Sequence, residues 1–413
     1  MTPKLIILFL VLLSGTYSII LNIVKFRSSN NPTPENVSDV YDTETYLKWK
    51  KYSAEHSTLS LISSIVSLVV SLILLLTNAY FAFASLFPND LMLQLISVIL
   101  LEAIVSTVIG VIEGYISTMK IEEKYGFNRS SIKTFVFDQI RSLILGFGLS
   151  LAIASLLTLH IYIGEWMIPL FAGVMFAFGL VISFLYPFLS RIGNKFVPLE
   201  DGELKDMLMD LLNKHGYKVK AIEVMDASRR TTKLNAYFTG FGKTKTIVLY
   251  DNLVNAMTPE EISAVFAHEL GHGLHKDVLK SQIFNVVQFF VIAAIACFCV
   301  REPSLHTDFG FAEVNYGFAY ILVGVILGLV QPLLSLFNNS RSRKAEYRAD
   351  RQAVKEGYGK PMISALKKLA RDNFAHLSPS KINVLLDYSH PPLADRIAAV
   401  QRELDEIQEK NNA

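Results

Sequence analysis

Residues 258–275 read Thr-Pro-Glu-Glu-Ile-Ser-Ala-Val-Phe-Ala-His-Glu-Leu-Gly-His-Gly-Leu-His. Thr258 is placed to cap a helix, Pro259 suits its first position, and Glu261, three residues after the cap, can bond back to the cap amide. On that helix His268 and His272 stand four apart, hence on one face. Two imidazoles so placed can hold one zinc ion while Glu269 beside them reaches a water on the metal. This is metallopeptidase geometry. It demands another ligand, because a catalytic zinc keeps three protein ligands and one open position.

Residues 341–350, Arg-Ser-Arg-Lys-Ala-Glu-Tyr-Arg-Ala-Asp, offer that ligand. Glu346 and Asp350 are also four apart. On a second helix Glu346 can bind the metal while Asp350 accepts a hydrogen bond from the free ring nitrogen of a ligand histidine.

The 413 residues are 51% hydrophobic and only 18% charged, which marks a membrane protein rather than a soluble domain. A formal charge of +2 is too small, and the basic residues too dispersed, to suggest a nucleic-acid partner. Cys297 and Cys299, two apart in an apolar run, point to different helix faces and read as packing residues, so no disulfide framework is expected.

Apolar runs at about 5–24, 59–83, 92–116, 143–163, 167–188, 282–300 and 318–337 each approach the roughly 20 residues needed to cross a bilayer, giving seven spans. The first is too long for a signal-peptide core. Lysine and arginine gather on one side: Lys25, Arg27, Lys48, Lys50, Lys51, Lys120, Lys124, Arg129, Lys133, the segment from Arg191, and Arg341, Arg343 and Lys344. The other side holds Lys4 and Arg301. The asymmetry places the amino terminus outside the cytoplasm, and the carboxyl terminus and both metal-binding segments within it. The chain divides into residues 1–188 (spans one to five), 189–280 (a cytoplasmic metallopeptidase segment), 281–340 (spans six and seven) and 341–413 (a cytoplasmic segment with the third ligand and terminal helices).

Glu102, Ser106 and Glu113 form a polar stripe on the third span, which must face protein or water. Two readings stand: carboxylates paired with basic residues to hold the bundle, or the wall of a water-filled interior. In 189–280 an amphipathic helix carries Leu204, Met207, Leu211 and Leu212, followed by strands at Tyr217–Met225, Asn235–Phe241 and Thr246–Tyr250, the last two joined by Gly242-Lys243-Thr244 as a hairpin. Asn235-Ala236-Tyr237 is either an edge that holds extended substrate by main-chain hydrogen bonds or an ordinary hairpin strand. If the active-site helix runs unbroken from His272 to about Gln282, the metal stands only ~15 Å from the sixth span, so substrates should be membrane-attached. Further on, the prolines of Ser389-His390-Pro391-Pro392 force His390 into extended geometry. On spacing alone, His390 and the following Arg396 read as surface residues.

His-Glu-Leu-Gly-His at 268–272, Arg-Lys-Ala-Glu-Tyr-Arg-Ala-Asp at 343–350, Asn-Ala-Tyr-Phe at 235–238 and Ser-His-Pro-Pro at 389–392 together resemble the integral-membrane CAAX prenyl endopeptidases. Lys124-Tyr-Gly-Phe-Asn128 and Asp138-Gln139 are similar to the same family, so the likeness covers nearly the whole chain. The resemblance implies a mainly α, polytopic fold: seven transmembrane helices in a barrel around a chamber, with a small α+β metallopeptidase domain at the cytoplasmic end. It implies removal of the last three residues after a prenylated cysteine, with one Zn2+ per chain held by His268, His272 and Glu346. Glu269 would be general base, and Asp350 would orient His268. His390 would act at the oxyanion, and Asn235, Ala236, Tyr237 and Arg396 would bind substrate. The expected partners are the bilayer and a membrane-attached, prenylated protein C-terminus. The expected location is the endoplasmic reticulum or inner nuclear membrane in a eukaryote and the inner membrane in a bacterium. Two alternatives remain at this point. One is a general quality-control metalloprotease, which would not discriminate prenylated from unprenylated peptide. The other is a seven-span receptor or transporter with an incidental histidine motif, which would hold no stoichiometric zinc.

Overall fold

The structure is a computed structural model describing residues 2–88, 90–239 and 245–412. Helices α1 (Pro3–Ser28) and α2 (Thr43–Leu76) are followed by a short α3 (Ala79–Ala84) and by α4 (Leu91–Gly114), which continues as a π-helical segment, Tyr115–Glu122. Helix α5 (Ile132–Leu157), the single turn α6 (His160–Ile163) and α7 (Met167–Leu189) complete the first half. Then come β1 (Phe196–Pro198), α8 (Glu203–Lys214), β2 (Ala221–Met225), β3 (Ala236–Thr239), β4 (Thr246–Tyr250), α9 (Asp251–Ala256) and α10 (Pro259–Leu274). Helices α11 (Asp277–Arg301), α12 (Ser304–Thr307) and α13 (Tyr316–Lys355) lead to α14 (Gly359–Asp372), α15 (Lys381–Leu386) and α16 (Leu393–Asn412).

The apolar stretches long enough to cross a membrane are α1, α2, α4 with its π-helical extension, the run 132–189 that contains α5 and α7, α11 and α13. Counting α5 and α7 separately gives seven long helices among the described residues, as the hydropathy pattern predicts. Their ends differ from that pattern because local backbone turns and caps, not hydrophobicity, set them. The second span stops at Leu76 rather than near 83, where Asn78 takes a left-handed conformation at φ 54°. The fourth starts eleven residues before 143, because Ser131 caps it by accepting from the Thr134 amide. Helix α13 runs for 40 residues, so the division drawn at residue 340 falls inside it, and the one at 280 falls inside α11.

All seven long helices contribute to a cavity of about 1080 Å³ lined by Ser63, Glu102, Ser106, Glu113 and Gln139 among others. Glu113 accepts a 2.5 Å bond from Ser63 and Glu102 a 2.6 Å bond from the Tyr80 hydroxyl. Neither carboxylate meets a lysine or arginine among the described residues, which sets aside the ion-pair reading of the stripe.

The four strands form one sheet in the order β1-β2-β4-β3, with β2 and β4 parallel and the outer pairs antiparallel. Strand β1 was not foreseen. It is three residues long, too short to show alternation, and ends in Pro198, which only an edge tolerates. Strand β2 starts at Ala221 rather than Tyr217, and Gly242-Lys243-Thr244 lies outside the described residues. The soluble core joins Leu208, Leu249, Ile262, Phe266, Leu366 and Ile397 to Val37, Val40, Tyr41 and Trp49 of the first loop and α2, so the amino-terminal region is part of the peptidase unit.

Candidate metal centre

Helix α10 begins with the full reciprocal cap: the Glu261 amide donates to Thr258 Oγ1 at 3.3 Å, and the Thr258 amide to Glu261 Oε2 at 2.9 Å. From Glu261 to Leu270 nearly every residue is buried, with α8, α13 and α14 packed around it. Gly271 sits where α10 meets α13. A Cβ there would lie 3.0 Å from the Ala349 Cα and the Gln352 Cβ, so the missing side chain lets the two helices approach closely enough for their ligands to meet.

At this crossing His268, His272 and Glu346 present atoms that all lie within 4.8 Å of one another. His268 Nε2 is 3.5 Å from Glu346 Oε2, and His272 Nε2 is 3.3 Å from Glu346 Oε1. The two imidazole planes are nearly perpendicular, at 89°. Glu346 Oε2 is buried yet accepts no hydrogen bond among the described residues. An orphaned carboxylate oxygen between two imidazoles fits a bound cation, which would supply the missing partner.

Each imidazole is held from behind. His268 Nδ1 lies 2.9 Å from Asp350 Oδ1, and His272 Nδ1 lies 3.1 Å from Asp277 Oδ2. Asp277 was missed in the sequence because it depends on a break. Helix α10 ends at Leu274, Lys276 adopts φ 54° and ψ 39°, and Asp277 opens α11, turned back towards His272. The conditional unbroken helix from His272 to Gln282 is therefore not formed. Arg348 donates to the other oxygen of Asp277 at 2.7 Å.

Arg396 differs from expectation. Its guanidinium donates to both oxygens of Asp350, at 2.9 and 2.6 Å, and stands 3.5 Å from Glu346 Oε2. Its side chain is 13% exposed and lies beside the ligands, paired with carboxylates. His390 Nε2 is 3.3 Å from Glu346 Oε1 on an exposed side chain, with Ser389 Oγ 2.9 Å from its Nδ1. Spacing alone had made His390 and Arg396 ordinary surface residues, and both stand at the centre.

Burial alone would raise the Glu346 carboxyl. Its bond to His272 and the positive field of His268, Arg396 and His390 outweigh that and bring it down to about 2. Burial likewise opposes charge on His272, but Glu346 and Asp277 lift it to about 9. Asp350 is held well below the carboxylate range against its burial, chiefly by Arg396. Glu269 goes the other way. Burial pushes its carboxyl up against the fields of both histidines, which suits a group that must take and hold a proton.

Strand β3 is the free edge of the sheet and runs beside α10. The Tyr250 amide donates to Asn235 O at 3.1 Å. By the alternation of an antiparallel ladder, the N–H and C=O of Ala236 then point away from β4, towards the open edge. The Tyr237 ring faces the opposite side of the sheet from Ala236, against Tyr186 and Tyr250 with centroids 6.4 and 6.3 Å away, where it docks α7.

Comparison with known proteins gives concordant matches. The family model described as Peptidase family M48 matches residues 198–404, and that described as CAAX prenyl protease N-terminal, five membrane helices, matches residues 5–191. The chain is 30% identical to CAAX prenyl protease 1 of Saccharomyces cerevisiae, over 93% of this chain and 91% of that protein. It is 35% identical to the probable CAAX prenyl protease 1 of Schizosaccharomyces pombe, over 69% of this chain and 60% of that one. The crystal structure of S. mikatae Ste24p superposes with a TM-score of 0.89 at 28% identity, covering 97% of this chain and 99% of that chain.

Proposed function

This chain belongs to peptidase family M48 and is a multi-pass membrane metallopeptidase, and from that premise we propose that it is a zinc endopeptidase that removes the C-terminal tripeptide from prenylated CAAX proteins. The observation that carries the reading is the His268–His272–Glu346 triangle with an orphaned Glu346 oxygen, borne partly on a helix continuous with the last membrane span. Membership of a peptidase family removes the receptor or transporter alternative. Two imidazoles and a carboxylate with an open fourth position make the donor set of a catalytic zinc. CAAX specificity is inferred from the names of the relatives.

His268, His272 and Glu346 would hold the zinc ion, whose chemistry there would be polarisation of the scissile carbonyl and a water with its pKa lowered towards ~7. Asp350 and Asp277 accept hydrogen bonds from the Nδ1–H groups of the two ligand histidines, which leaves each Nε2 lone pair aimed inward. Arg396 offsets the negative charge of Asp350 and Glu346. Glu269 accepts the proton of the attacking water and passes it to the leaving amine. His390 donates to the oxyanion that develops on the carbonyl. The outward N–H and C=O of Ala236, beside Asn235, hold the substrate as an added strand, and Tyr237, whose main-chain groups are turned to β4, serves this edge by anchoring the strand in the sheet. The excess of lysine and arginine on one side supports a centre at the cytoplasmic face, and the location we propose is an endoplasmic reticulum or inner nuclear membrane of a eukaryote or an inner membrane of a bacterium.

The test is cleavage of a farnesylated peptide ending in Cys-a-a-X and of its unprenylated twin, by wild type and by Glu269→Gln, with product masses and metal content read. Release of the tripeptide from the prenylated peptide alone, one zinc per chain in both proteins, and a ~10²–10⁴-fold slower Glu269→Gln are expected. Equal cleavage of both peptides would favour the quality-control reading. Zinc retained by a His268→Ala, His272→Ala double variant would remove the proposed centre.

A further inference from the structure

Two motifs remain without a role: Lys124-Tyr-Gly-Phe-Asn128, in the loop between the third and fourth spans, and Asp138. Both converge on residues 230–234, the segment that feeds directly into Asn235 and Ala236. The loop and this segment pair like strands: Asn128 and Thr231 form an antiparallel bridge, the Arg129 amide donates to Arg230 O at 3.0 Å, and the Thr232 amide donates to Phe127 O at 3.2 Å. Arg230 meets Asp138, at the start of α5, at 3.0 Å. From the other side Asn373 takes both main-chain groups of Leu234, at 2.8 and 3.0 Å, and Asn252 donates to Thr231 O at 2.7 Å.

At the centre of this junction lies a polar cluster apart from the metal. Glu122 closes the π-helical segment below α4, a distortion that often marks functional sites. Its Oε1 accepts from the Tyr52 hydroxyl at 2.6 Å and from Lys233 Nζ at 3.0 Å, with His56 Nε2 3.3 Å away. Lys233 also donates to the Tyr52 oxygen at 3.2 Å and lies 5.0 Å from the Phe127 ring centroid. Helix α2, the end of α4 and the root of β3 thus meet on one carboxylate.

We propose that Glu122 and Lys233 are positioning residues for the peptidase reaction: with the 124–130 loop they brace the root of β3 and set where the outward groups of Ala236 stand relative to the metal centre. The proposal rests on the reading that β3 holds the substrate. It follows from three features together. Among the described residues no further strand pairs with the outer edge of β3 to fix it. Every residue from 230 to 234 is bonded to a different part of the membrane or soluble scaffold. Catalysis is also sensitive to shifts of about 1 Å made far from the chemistry.

The experiment measures kcat, KM and metal content of the full-length protein in detergent on a farnesylated Cys-a-a-X peptide, for wild type, Lys233→Met, Glu122→Gln, Tyr52→Phe, Lys233→Arg and Ala236→Pro. Lys233→Met and Glu122→Gln are expected to raise KM about tenfold with kcat within about threefold and metal retained. Tyr52→Phe should raise it less, and Lys233→Arg should restore most of the loss. Ala236→Pro removes the outward amide at an edge position that accepts proline, and should cost at least about tenfold in kcat/KM with metal retained. Metal loss in every cluster variant including Tyr52→Phe, or a fall in kcat at unchanged KM, would assign the cluster to folding alone and overturn the proposal. If Ala236→Pro is impaired while Lys233→Met and Glu122→Gln match wild type, the brace fails and the strand reading stands. If Ala236→Pro matches wild type, the strand reading fails and the brace with it.

Discussion

Replacing Arg396 by methionine separates two roles that the sequence and the structure assign to it. The guanidinium makes two bonds to Asp350, whose side chain is 2% exposed, and stands 3.5 Å from an oxygen of Glu346, 6% exposed. Methionine keeps the stem and removes the charge, leaving two buried carboxylates facing each other across His268. Stranding one partner of a buried pair costs about 3–5 kcal/mol, and the low end applies because His268 still bonds Asp350. With metal bound, the cation takes over the neutralisation of Glu346 but not that of Asp350. The affinity loss is then that of a lost outer support, about 10–100-fold, or ~1.4–2.7 kcal/mol. Chelator competition reads the affinity, and thermal melting with and without chelator reads the stability, with the larger loss expected in the metal-bound protein, where the weakened binding adds to the loss of the metal-free fold. Adding Asp350→Leu should recover part of the stability, since no carboxylate is left stranded, and lower the metal affinity further, since His268 loses its acceptor. The reasoning is refuted if Arg396→Met binds metal within twofold of wild type, melts at the same temperature and shows only a raised KM. That pattern would put the guanidinium on the substrate.

Asp277→Asn should weaken metal binding by about 10–100-fold in the same competition assay, and unchanged affinity would show that His272 needs no carboxylate behind it. Ser106→Cys, in a protein whose Cys297 and Cys299 are replaced, should react with a small membrane-impermeant thiol reagent because Ser106 lines the cavity. If it stays unlabelled while a cysteine in a cytoplasmic loop reacts, the cavity is closed to water. Glu102→Gln should leave folding and metal content nearly intact, since its partner is the Tyr80 hydroxyl and no basic residue is stranded; a large loss of either would contradict that. Burial tends to raise the Glu261 carboxyl, but Lys368, Ser364 and the Thr258 amide bring it below its ordinary 4.5. Its stabilisation is therefore present above pH 4.5 and lost as pH falls through the lower folded value. Glu261→Gln should cost about 1–3 kcal/mol near pH 7 and progressively less in acid, read by melting across pH, and a pH-independent difference would argue against it.

What the sequence reveals about this centre follows the range of the interactions. His268, His272, Glu346 and Asp350 were legible because each pair is local, four residues apart on a helix whose cap is itself local. Seven spans were legible because lipid demands long apolar runs, whereas their ends were not, since the left-handed turn at Asn78 and the single bond from the Thr134 amide to Ser131 are local features that hydropathy does not register. Asp277 was hidden behind the left-handed turn at Lys276. Arg396 was placed near the site by resemblance, but its actual partner, Asp350, is 46 residues away in sequence, and charge pairing over that distance has no pattern to read. The recruitment of Tyr41 and Trp49 into the peptidase core, and the meeting of Glu122 with Lys233, are of the same long-range kind.

The proposed centre draws on α10, the break before α11, the far end of α13 and the start of α16, with a membrane hairpin threaded between its histidines and Glu346. During synthesis His268 and His272 emerge before α11 and α13 have entered the bilayer, and Arg396 emerges later still. A nascent chain thus carries a histidine pair without its glutamate, and afterwards a ligand set whose buried carboxylates still lack their arginine. The proposed centre is therefore complete only once the last helix has docked against the far end of α13 and brought Arg396 to Asp350.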